Sequence, residues 1–271
     1  MSIVSTEWLS KYKSEVKIID CSWHMPNSKR DPYKEYLLEH IENAIFFDLD
    51  KNSDQDTNLP HMLPSKKSWE KIISLTGISN NDKIVIYDNS DVISSCRGWY
   101  NFIYFGHDPK LVQVLDGGLK KWKSEKKPIT SDTTKIKVSN YIAKEKEELV
   151  KNKNQIDQNI LNKKFELVDA RSKGRFEGKD PEPRKGVRSG SIKNSFCLPF
   201  GDLINENHTF KDLNEISLKF NNIFGPKLPQ DVVFSCGSGI TAAVLALAYS
   251  LINIKYVPTI YDGSWAEYGK I

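Results

Sequence analysis

Short apolar runs alternate with longer stretches of helical composition along both halves of the chain. The runs at Lys17–Asp20, 85–88, Glu166–Asp169 and Val232–Ser235 are typical of short buried strands. Two glycines within three residues follow the last run, and residues 242–252 are then rich in Ala and Leu, which favours a helix. Strands that alternate with helices predict an α/β fold with mostly parallel sheets.

The two halves carry similar motifs in the same order, which indicates a duplicated domain. The paired segments are 17–20 with 166–169, 40–44 with 191–195, 85–88 with 233–236, and 115–118 with 261–264. The separation along the chain is nearly constant from pair to pair. Four ordered matches argue for duplication more strongly than any one of them.

Length and composition fit two packed domains. The chain has 271 residues, of which 39% are hydrophobic and 11% aromatic, enough for a core in each half. Residues 128–162 are polar and indicate a surface connection, whose second part, with Ile156 and Ile160, is predicted to be helical. We predict an N-terminal domain over residues 1–138, a linker over 139–153 and a C-terminal domain over 154–271.

Charge and cysteine usage narrow the classes of function. The net charge of +4 comes without a basic stripe interleaved with aromatic residues, so we expect no nucleic-acid partner. The longest apolar run is far shorter than the ~20 residues that span a bilayer, and the N-terminus has neither signal nor transit character. The four cysteines lie far apart without a C-x-x-C motif, which argues against a zinc cluster or a disulfide scaffold. We therefore expect a cytoplasmic protein without a membrane anchor.

Cys236 carries the strongest chemical signal in the chain. It stands between a predicted strand and a predicted helix, in the loop Cys236-Gly237-Ser238-Gly239. Backbone N–H groups at such a loop favour a thiolate and form a concave anion site. We therefore predict that Cys236 is a nucleophile. Asp88 takes the same position in the first half, and a carboxylate there cannot attack sulfur, so we expect that half to be inactive.

Several of these motifs together resemble the tandem rhodanese sulfurtransferases, and most closely the mercaptopyruvate branch of that family. The segments that carry the resemblance are 236–242, 169–176, 181–184, 46–50 and 61–64. The resemblance covers nearly the whole chain and implies two rhodanese-like α/β domains. It also implies that a Cys236 persulfide carries sulfur from 3-mercaptopyruvate to a thiol, such as thioredoxin or a small thiol, or to cyanide, without a metal or organic cofactor.

The resemblance also implies roles for individual residues. Arg175 and Arg184 match the positions that hold the substrate carboxylate and ketone oxygen, a task suited to the planar guanidinium fork. Ser238, His61 and Asp50 match a proposed relay that moves protons as pyruvate leaves. The loop N–H groups of Gly237, Gly239, Ile240 and Thr241 are expected to cradle the persulfide. Trp122 and Trp265 are expected to pack in the core or in a lid and not to stack on substrate. Cys21, Cys96 and Cys197 are expected to be inert, with Cys197 buried.

Three other functions compete with this interpretation. Thiosulfate-specific enzymes of the family carry Arg and Lys after the cysteine, where this chain has Gly237 and Ser238, which favours mercaptopyruvate. Cysteine phosphatases need Cys-x5-Arg, and Ala242 stands at that Arg position. A carrier that hands its persulfide to a partner protein would use the same Cys236 and stays open.

Overall fold

The computed structural model describes residues 2–271, which form two compact units. The first unit runs to Gln55 and adds Leu63–Lys146 and Glu206–Thr209, and the second consists of Asp56–Met62, Glu147–Asn205 and Phe210–Ile271. The change from one unit to the other at Lys146 and Glu147 falls inside the stretch predicted to be the linker. Each half of the sequence therefore supplies one short segment to the unit that the other half mainly builds.

The first unit is built on a parallel sheet of five strands in the order β1-β5-β4-β2-β3. Its strands are β1 (Ile3–Val4), β2 (Lys17–Asp20), β3 (Ala44–Phe46), β4 (Ile84–Tyr87) and β5 (Val112–Leu115). Its helices are α1 (Thr6–Tyr12), α2 (Pro32–Leu38), α3 (Lys66–Leu75), α4 (Ser95–Tyr104) and α5 (Gly118–Ser124).

The second unit repeats this sheet in the order β6-β10-β9-β7-β8, again with all strands parallel. Its strands are β6 (Val150–Lys151), β7 (Glu166–Asp169), β8 (Phe196–Cys197), β9 (Val232–Ser235) and β10 (Ile260–Tyr261). Its helices are α6 (Lys153–Asn162), α7 (Lys173–Phe176), α8 (Leu213–Phe224), α9 (Ile240–Ile252) and α10 (Ser264–Tyr268). Taken in chain order, the strands of both sheets occupy the same places, which confirms the duplication and the parallel α/β fold.

Local sequence accounts for where the helices begin. Asp212 accepts hydrogen bonds from the first backbone N–H groups of α8, and Asn152 forms a reciprocal capping box with Gln155 at the start of α6. Helix α9 begins directly after Gly239, whose φ of 82° is open to glycine at little cost. This helix starts two residues before the predicted segment and is buried over most of its length.

Each sheet packs against its helices in a core of its own. The first core contains Val85 of β4 and Trp122 of α5, and the second contains Val233 of β9 and Trp265 of α10. Both tryptophans are almost completely buried, as expected from the sequence. Within residues 2–271, we find no helix with the length and apolar character needed to cross a membrane.

The first core also buries an acid at the end of β2. Ser22 donates hydrogen bonds to the Asp20 carboxylate from its backbone N–H at 3.0 Å and from its hydroxyl at 2.5 Å. Burial nevertheless dominates and raises the pKa of Asp20 from 3.8 to about 7. The folded protein therefore keeps a proton that the unfolded chain releases between those values, so this acid makes stability fall as pH rises through that window.

We expect Asp20→Asn to flatten the pH dependence of stability between about pH 4 and pH 7. The shift of Asp20 corresponds to a fall of at most about 4 kcal/mol in the free energy of unfolding across that window. Urea unfolding at several pH values measures it. Asp31→Asn is the control, because the pKa of Asp31 is lowered by the Lys34 backbone N–H and it titrates below the window. Equal slopes in the wild type and in Asp20→Asn would contradict the assignment.

Candidate active site

Cys236 lies in the loop between β9 and α9, where the sequence places it. It is a free thiol, 2% exposed. Its backbone N–H donates to the Ser264 hydroxyl at 3.2 Å, and its carbonyl accepts from the Trp265 backbone N–H at 2.9 Å. The next carbonyl, that of Gly237, accepts from Ala266 at 2.9 Å. The start of α10 therefore fixes the backbone on which the thiol stands.

The predicted cradle residues follow Cys236 into the first turn of α9. Gly239 precedes that helix, Ile240 is its first residue and Thr241 its second. The first N–H groups of an α-helix have no partner inside the helix and present partial positive charge. The loop thus has the backbone arrangement that a persulfide cradle needs, and its role as a cradle stays a prediction.

His61 and Ser238 meet within the second unit, which includes the segment Asp56–Met62. The Nδ1 atom of His61 lies 2.9 Å from the Ser238 hydroxyl, and both side chains are buried. His61 has a φ of 60°, an uncommon backbone conformation for a non-glycine residue, which functional sites often hold. Arg184 donates to the same hydroxyl oxygen at 3.2 Å. Because a guanidinium can only donate, the hydroxyl proton of Ser238 is free to point at an unprotonated Nδ1 of His61.

Arg175 and Arg184 come together beside the loop. An ideal Cβ atom built on Gly237 would lie 3.1 Å from Nη2 of Arg175 and 3.6 Å from Nη1 of Arg184. Two guanidinium groups therefore flank the residue that directly follows Cys236. The sequence paired these arginines through the resemblance alone, and the structure places both at the same glycine.

A buried carboxylate that the sequence analysis did not single out holds Arg175. Glu182 accepts from Nε of Arg175 at 3.1 Å and from its Nη2 at 2.6 Å, and its side chain is only 3% exposed. The same carboxylate accepts from Arg171 at 2.7 Å, and Arg171 in turn binds Asp169. Burial opposes the charge of Arg171, but the Asp169 and Glu182 carboxylates outweigh it and raise its pKa. The only sequence signal for Glu182 was its place between two prolines just before Arg184.

Asp50, the third member of the predicted relay, lies in the first unit. Its carboxylate accepts from the indole Nε1 of Trp23 at 3.0 and 3.1 Å, and its backbone N–H donates to Asp48. The structure thus assigns Asp50 a partner that the sequence did not suggest. The step from Asp50 to His61 stays a prediction.

Asp88 occupies in the first unit the place that Cys236 has in the second. Its carboxylate accepts from the backbone N–H groups of Ser90 at 2.8 Å and Ser95 at 2.9 Å. Burial raises its pKa, although both hydrogen bonds act in the opposite direction. In the first unit the backbone N–H groups of this loop therefore bind the Asp88 carboxylate, and the position of the thiol is taken by a carboxyl group.

The remaining cysteines lie in surroundings that disfavour thiolates. Burial raises the pKa of Cys21 and Cys96 well above the usual range, and raises that of Cys197 to about 11. The prediction that Cys197 is buried is wrong, because β8 is an edge strand and leaves this side chain half-exposed. Its thiol instead approaches the Arg171 carbonyl at 3.6 Å.

A cavity of about 520 Å³ opens at the opposite end of the second sheet. Among its lining residues are Val232, at the beginning of β9, and Lys164 and Lys255. Ligands of open parallel α/β sheets bind at the carboxyl ends of strands, where Cys236 lies, so we place the chemistry there and not in the cavity. Within residues 2–271, no group of three or more His, Cys, Asp or Glu side chains is arranged to hold a metal ion.

Comparison with known proteins agrees with this geometry. The rhodanese-like domain matches twice, over residues 5–125 and 147–270. The Arabidopsis thaliana protein named thiosulfate/3-mercaptopyruvate sulfurtransferase 1, mitochondrial, is 37% identical, with 98% of this chain and 75% of that protein covered. Rat 3-mercaptopyruvate sulfurtransferase is 34% identical, with 98% and 91% covered. The crystal structure of the Tum1 protein from Saccharomyces cerevisiae superposes with a TM-score of 0.88 at 28% identity, covering 99% of this chain and 94% of that one.

Two copies of one domain in tandem, a cysteine loop in the second copy and full-length relatives at this level of identity lead to one conclusion: the chain belongs to the rhodanese family.

Proposed function

We propose that the protein is a sulfurtransferase that moves a sulfane sulfur from 3-mercaptopyruvate to a thiol or cyanide through a Cys236 persulfide, releasing pyruvate. One observation carries the choice of donor. Arg175 and Arg184 both flank Gly237, the residue after the nucleophile, in the space that a longer side chain would fill. A short α-keto acid with its sulfur at Cys236 offers a carboxylate and a ketone oxygen to two such groups.

The reaction follows from these positions. The Cys236 thiolate attacks the donor sulfur, a new S–S bond forms and the C–S bond breaks. The electron pair of the broken bond passes to the three-carbon fragment, which is the enolate of pyruvate. The guanidinium groups stabilise its developing negative charge, and protonation of its carbon gives pyruvate. An acceptor thiolate or cyanide then attacks the outer sulfur and regenerates the Cys236 thiolate.

Ser238 and His61 are proposed to handle the proton of this step. Nδ1 of His61 lies 2.9 Å from the Ser238 hydroxyl, and Ser238 directly follows Gly237, the residue that the two arginines flank. Arg184 also donates a hydrogen bond to the Ser238 hydroxyl. A histidine exchanges protons readily near neutral pH, and the serine hydroxyl extends its reach toward the loop. We propose Asp50 as the third member of this relay.

A thiosulfate sulfurtransferase is the second candidate, because the plant relative is named for both donors. Thiosulfate is a compact dianion, and the loop offers it no cationic side chain of its own at positions 237 and 238. The arginines beside the loop still supply positive charge, so we propose slower transfer from thiosulfate. A persulfide carrier with a dedicated protein acceptor is the third candidate.

The compartment and partners are proposals of the same kind. We propose a cytoplasmic enzyme whose acceptor is thioredoxin or a small thiol. The plant relative carries the word mitochondrial in its name, so a mitochondrial location is the alternative for this chain.

The proposed function is tested by measuring kcat/KM for 3-mercaptopyruvate and thiosulfate side by side, with a thiol and with cyanide as acceptors. We expect a preference of at least tenfold for mercaptopyruvate, and no turnover in Cys236→Ser because the serine hydroxyl cannot form a persulfide. Cys197→Ser is the matched control and should keep its turnover. A preference for thiosulfate would make thiosulfate the donor in place of mercaptopyruvate. Absence of turnover with either donor would favour the persulfide carrier.

His61→Ala is expected to lower kcat for mercaptopyruvate at least tenfold more than kcat for thiosulfate, as lost proton transfer commonly costs more than that. The reason is that pyruvate leaves as an enolate that needs a proton on carbon, whereas sulfite leaves with its electron pair on sulfur. His208→Ala is the control, since His208 also has a positive φ but contacts Lys120 in the first unit. Equal losses for both donors would make His61 a structural residue.

Gly237→Ala is expected to raise KM for mercaptopyruvate about tenfold, because its Cβ would press on Nη2 of Arg175 at 3.1 Å and small displacements of such groups are costly. Glu182 anchors this guanidinium and limits its retreat. Gly201→Ala is the matched control, with nothing within 4 Å of its added methyl group. An unchanged KM in Gly237→Ala, measured by steady-state kinetics, would remove Arg175 from the donor site.

A further inference from the structure

Trp265 is held at its ring and at its edge. The guanidinium groups of Arg171 and Arg188 both lie over its indole ring, with their central carbons 4.4 and 4.6 Å from the ring centroid. Its Nε1–H donates to the backbone carbonyl of Arg188 at 2.7 Å. The ring and Arg171 are both buried, so their contact is desolvated, a setting in which cation–π attraction is strongest, whereas Arg188 is exposed.

The backbone of the same residue holds the nucleophile. The Trp265 N–H donates to the Cys236 carbonyl at 2.9 Å, and the neighbouring Ser264 hydroxyl accepts from the Cys236 N–H. One residue therefore binds the cysteine loop through its main chain and the arginine segment through its ring.

Two routes lead from the ring to the proposed substrate arginines. Arg171 binds Glu182, and Glu182 binds Arg175 with two hydrogen bonds. Arg188 lies on the same segment as Arg184, and that segment pairs with residues 269–271.

The end of the chain is paired with this segment by three contacts. Arg188 N–H donates to Gly269 at 2.8 Å, Ile271 N–H donates to Gly186 at 3.0 Å, and Val187 bridges to Lys270.

We propose that Trp265 is a positioning residue that sets the distance between the Cys236 thiol and the carboxylate-binding arginines. This proposal rests on the proposed function for its substrate, and it deepens that function by naming the group that makes the site selective for donors with a carboxylate. Trp265 touches no reacting atom. It acts through Arg171 and Arg188 on one side and through the Cys236 carbonyl on the other.

The first unit supplies a natural comparison. Trp122 lies further past the corresponding Asp-Gly turn than Trp265 does, since Leu119 takes the position of Trp265, but it is also buried and donates from Nε1 to the Pro128 carbonyl at 2.8 Å. Its cationic neighbour is Lys127, at 5.7 Å from the ring centroid. Both units thus bury a tryptophan whose indole N–H binds a carbonyl, whereas the pair of arginines over the ring is found at Trp265, in the unit with the cysteine.

The test compares Trp265→Phe with Trp122→Phe, each of which loses one indole N–H donor and some ring area. In Trp265→Phe we expect KM for mercaptopyruvate to rise about tenfold, the range of one lost buried hydrogen bond, with kcat changed less than threefold. In Trp122→Phe we expect a lower melting temperature and an unchanged KM. Similar KM values in all three proteins, or equal shifts in both variants, would overturn the proposal.

A second measurement does not depend on turnover. The rates at which iodoacetate and iodoacetamide alkylate Cys236, followed by mass spectrometry of its peptide, report how well the arginines attract a carboxylate to the thiol. We expect the rate with iodoacetate divided by the rate with iodoacetamide to fall at least fivefold in Trp265→Phe and to stay constant in Trp122→Phe. A fall in this ratio combined with a wild type that does not use mercaptopyruvate would keep the positioning role and reject the substrate.

Arg188→Ala decides the matter if Trp265→Phe does not fold. Arg188 is exposed apart from its stacked face, so its removal spares the core and leaves its carbonyl in place. We expect the alkylation ratio to fall at least twofold, and a ratio equal to that of the wild type would overturn the proposal.

Discussion

Two positive charges beside one thiol are the constraint on which the second unit is built. Arg175 and Arg184 repel each other, and neither charge is easily held at a half-buried site without a partner. Glu182 meets that need for Arg175, with both carboxylate oxygens engaged and 3% of its side chain exposed. Arg171 and Asp169 then balance Glu182, so a chain of alternating charges runs from the end of β7 to the cysteine loop. Loss of Glu182 would remove the carboxylate that Arg171 and Arg175 share, so the charges beside the cysteine loop depend on one buried side chain.

The duplication shows how one topology serves two ends. Both sheets have the same strand order, and each unit contains a histidine with positive φ near the loop after its fourth strand. In the second unit His61 meets Ser238, in the loop of Cys236. In the first unit His208 meets Lys120, which is paired with Asp91 beside the Asp88 loop. Burial and Lys120 lower the pKa of His208, which favours the neutral ring there. In the first unit an ion pair therefore lies beside the loop after β4, whereas in the second unit the loop after β9 carries a thiol and a serine hydroxyl.

Features that depend on neighbours along the chain could be predicted from the sequence. The apolar run before Cys236, the glycines after it and the Ala-rich segment beyond them fix a strand, a loop and a helix locally, and all three are found. The nearly constant separation between repeated motifs predicts the same fold for both halves, and both sheets have the same strand order. The role of Glu182 could not be predicted in this way, because its meaning depends on Arg171 and Arg175 reaching one carboxylate from opposite sides. The prediction that Cys197 is buried is wrong because apolar neighbours in the sequence do not reveal that a strand lies at the edge of its sheet.

Trp265 illustrates the same limit from the other direction. The sequence predicts it in the core or in a lid, and burial alone would be a sufficient reason for a tryptophan there. Its indole N–H, however, is bound to a loop carbonyl, and two guanidinium groups lie over its ring in addition to the apolar cluster that packs around it. A core that needed only volume would be served better by apolar neighbours, since a guanidinium loses hydration when it is buried. That cost is borne in the unit that carries the cysteine and is absent around Trp122, whose cationic neighbour is a lysine at 5.7 Å. Packing in the second unit therefore does more than fill space, because one buried residue contacts both the backbone of the cysteine loop and the arginine segment beside it.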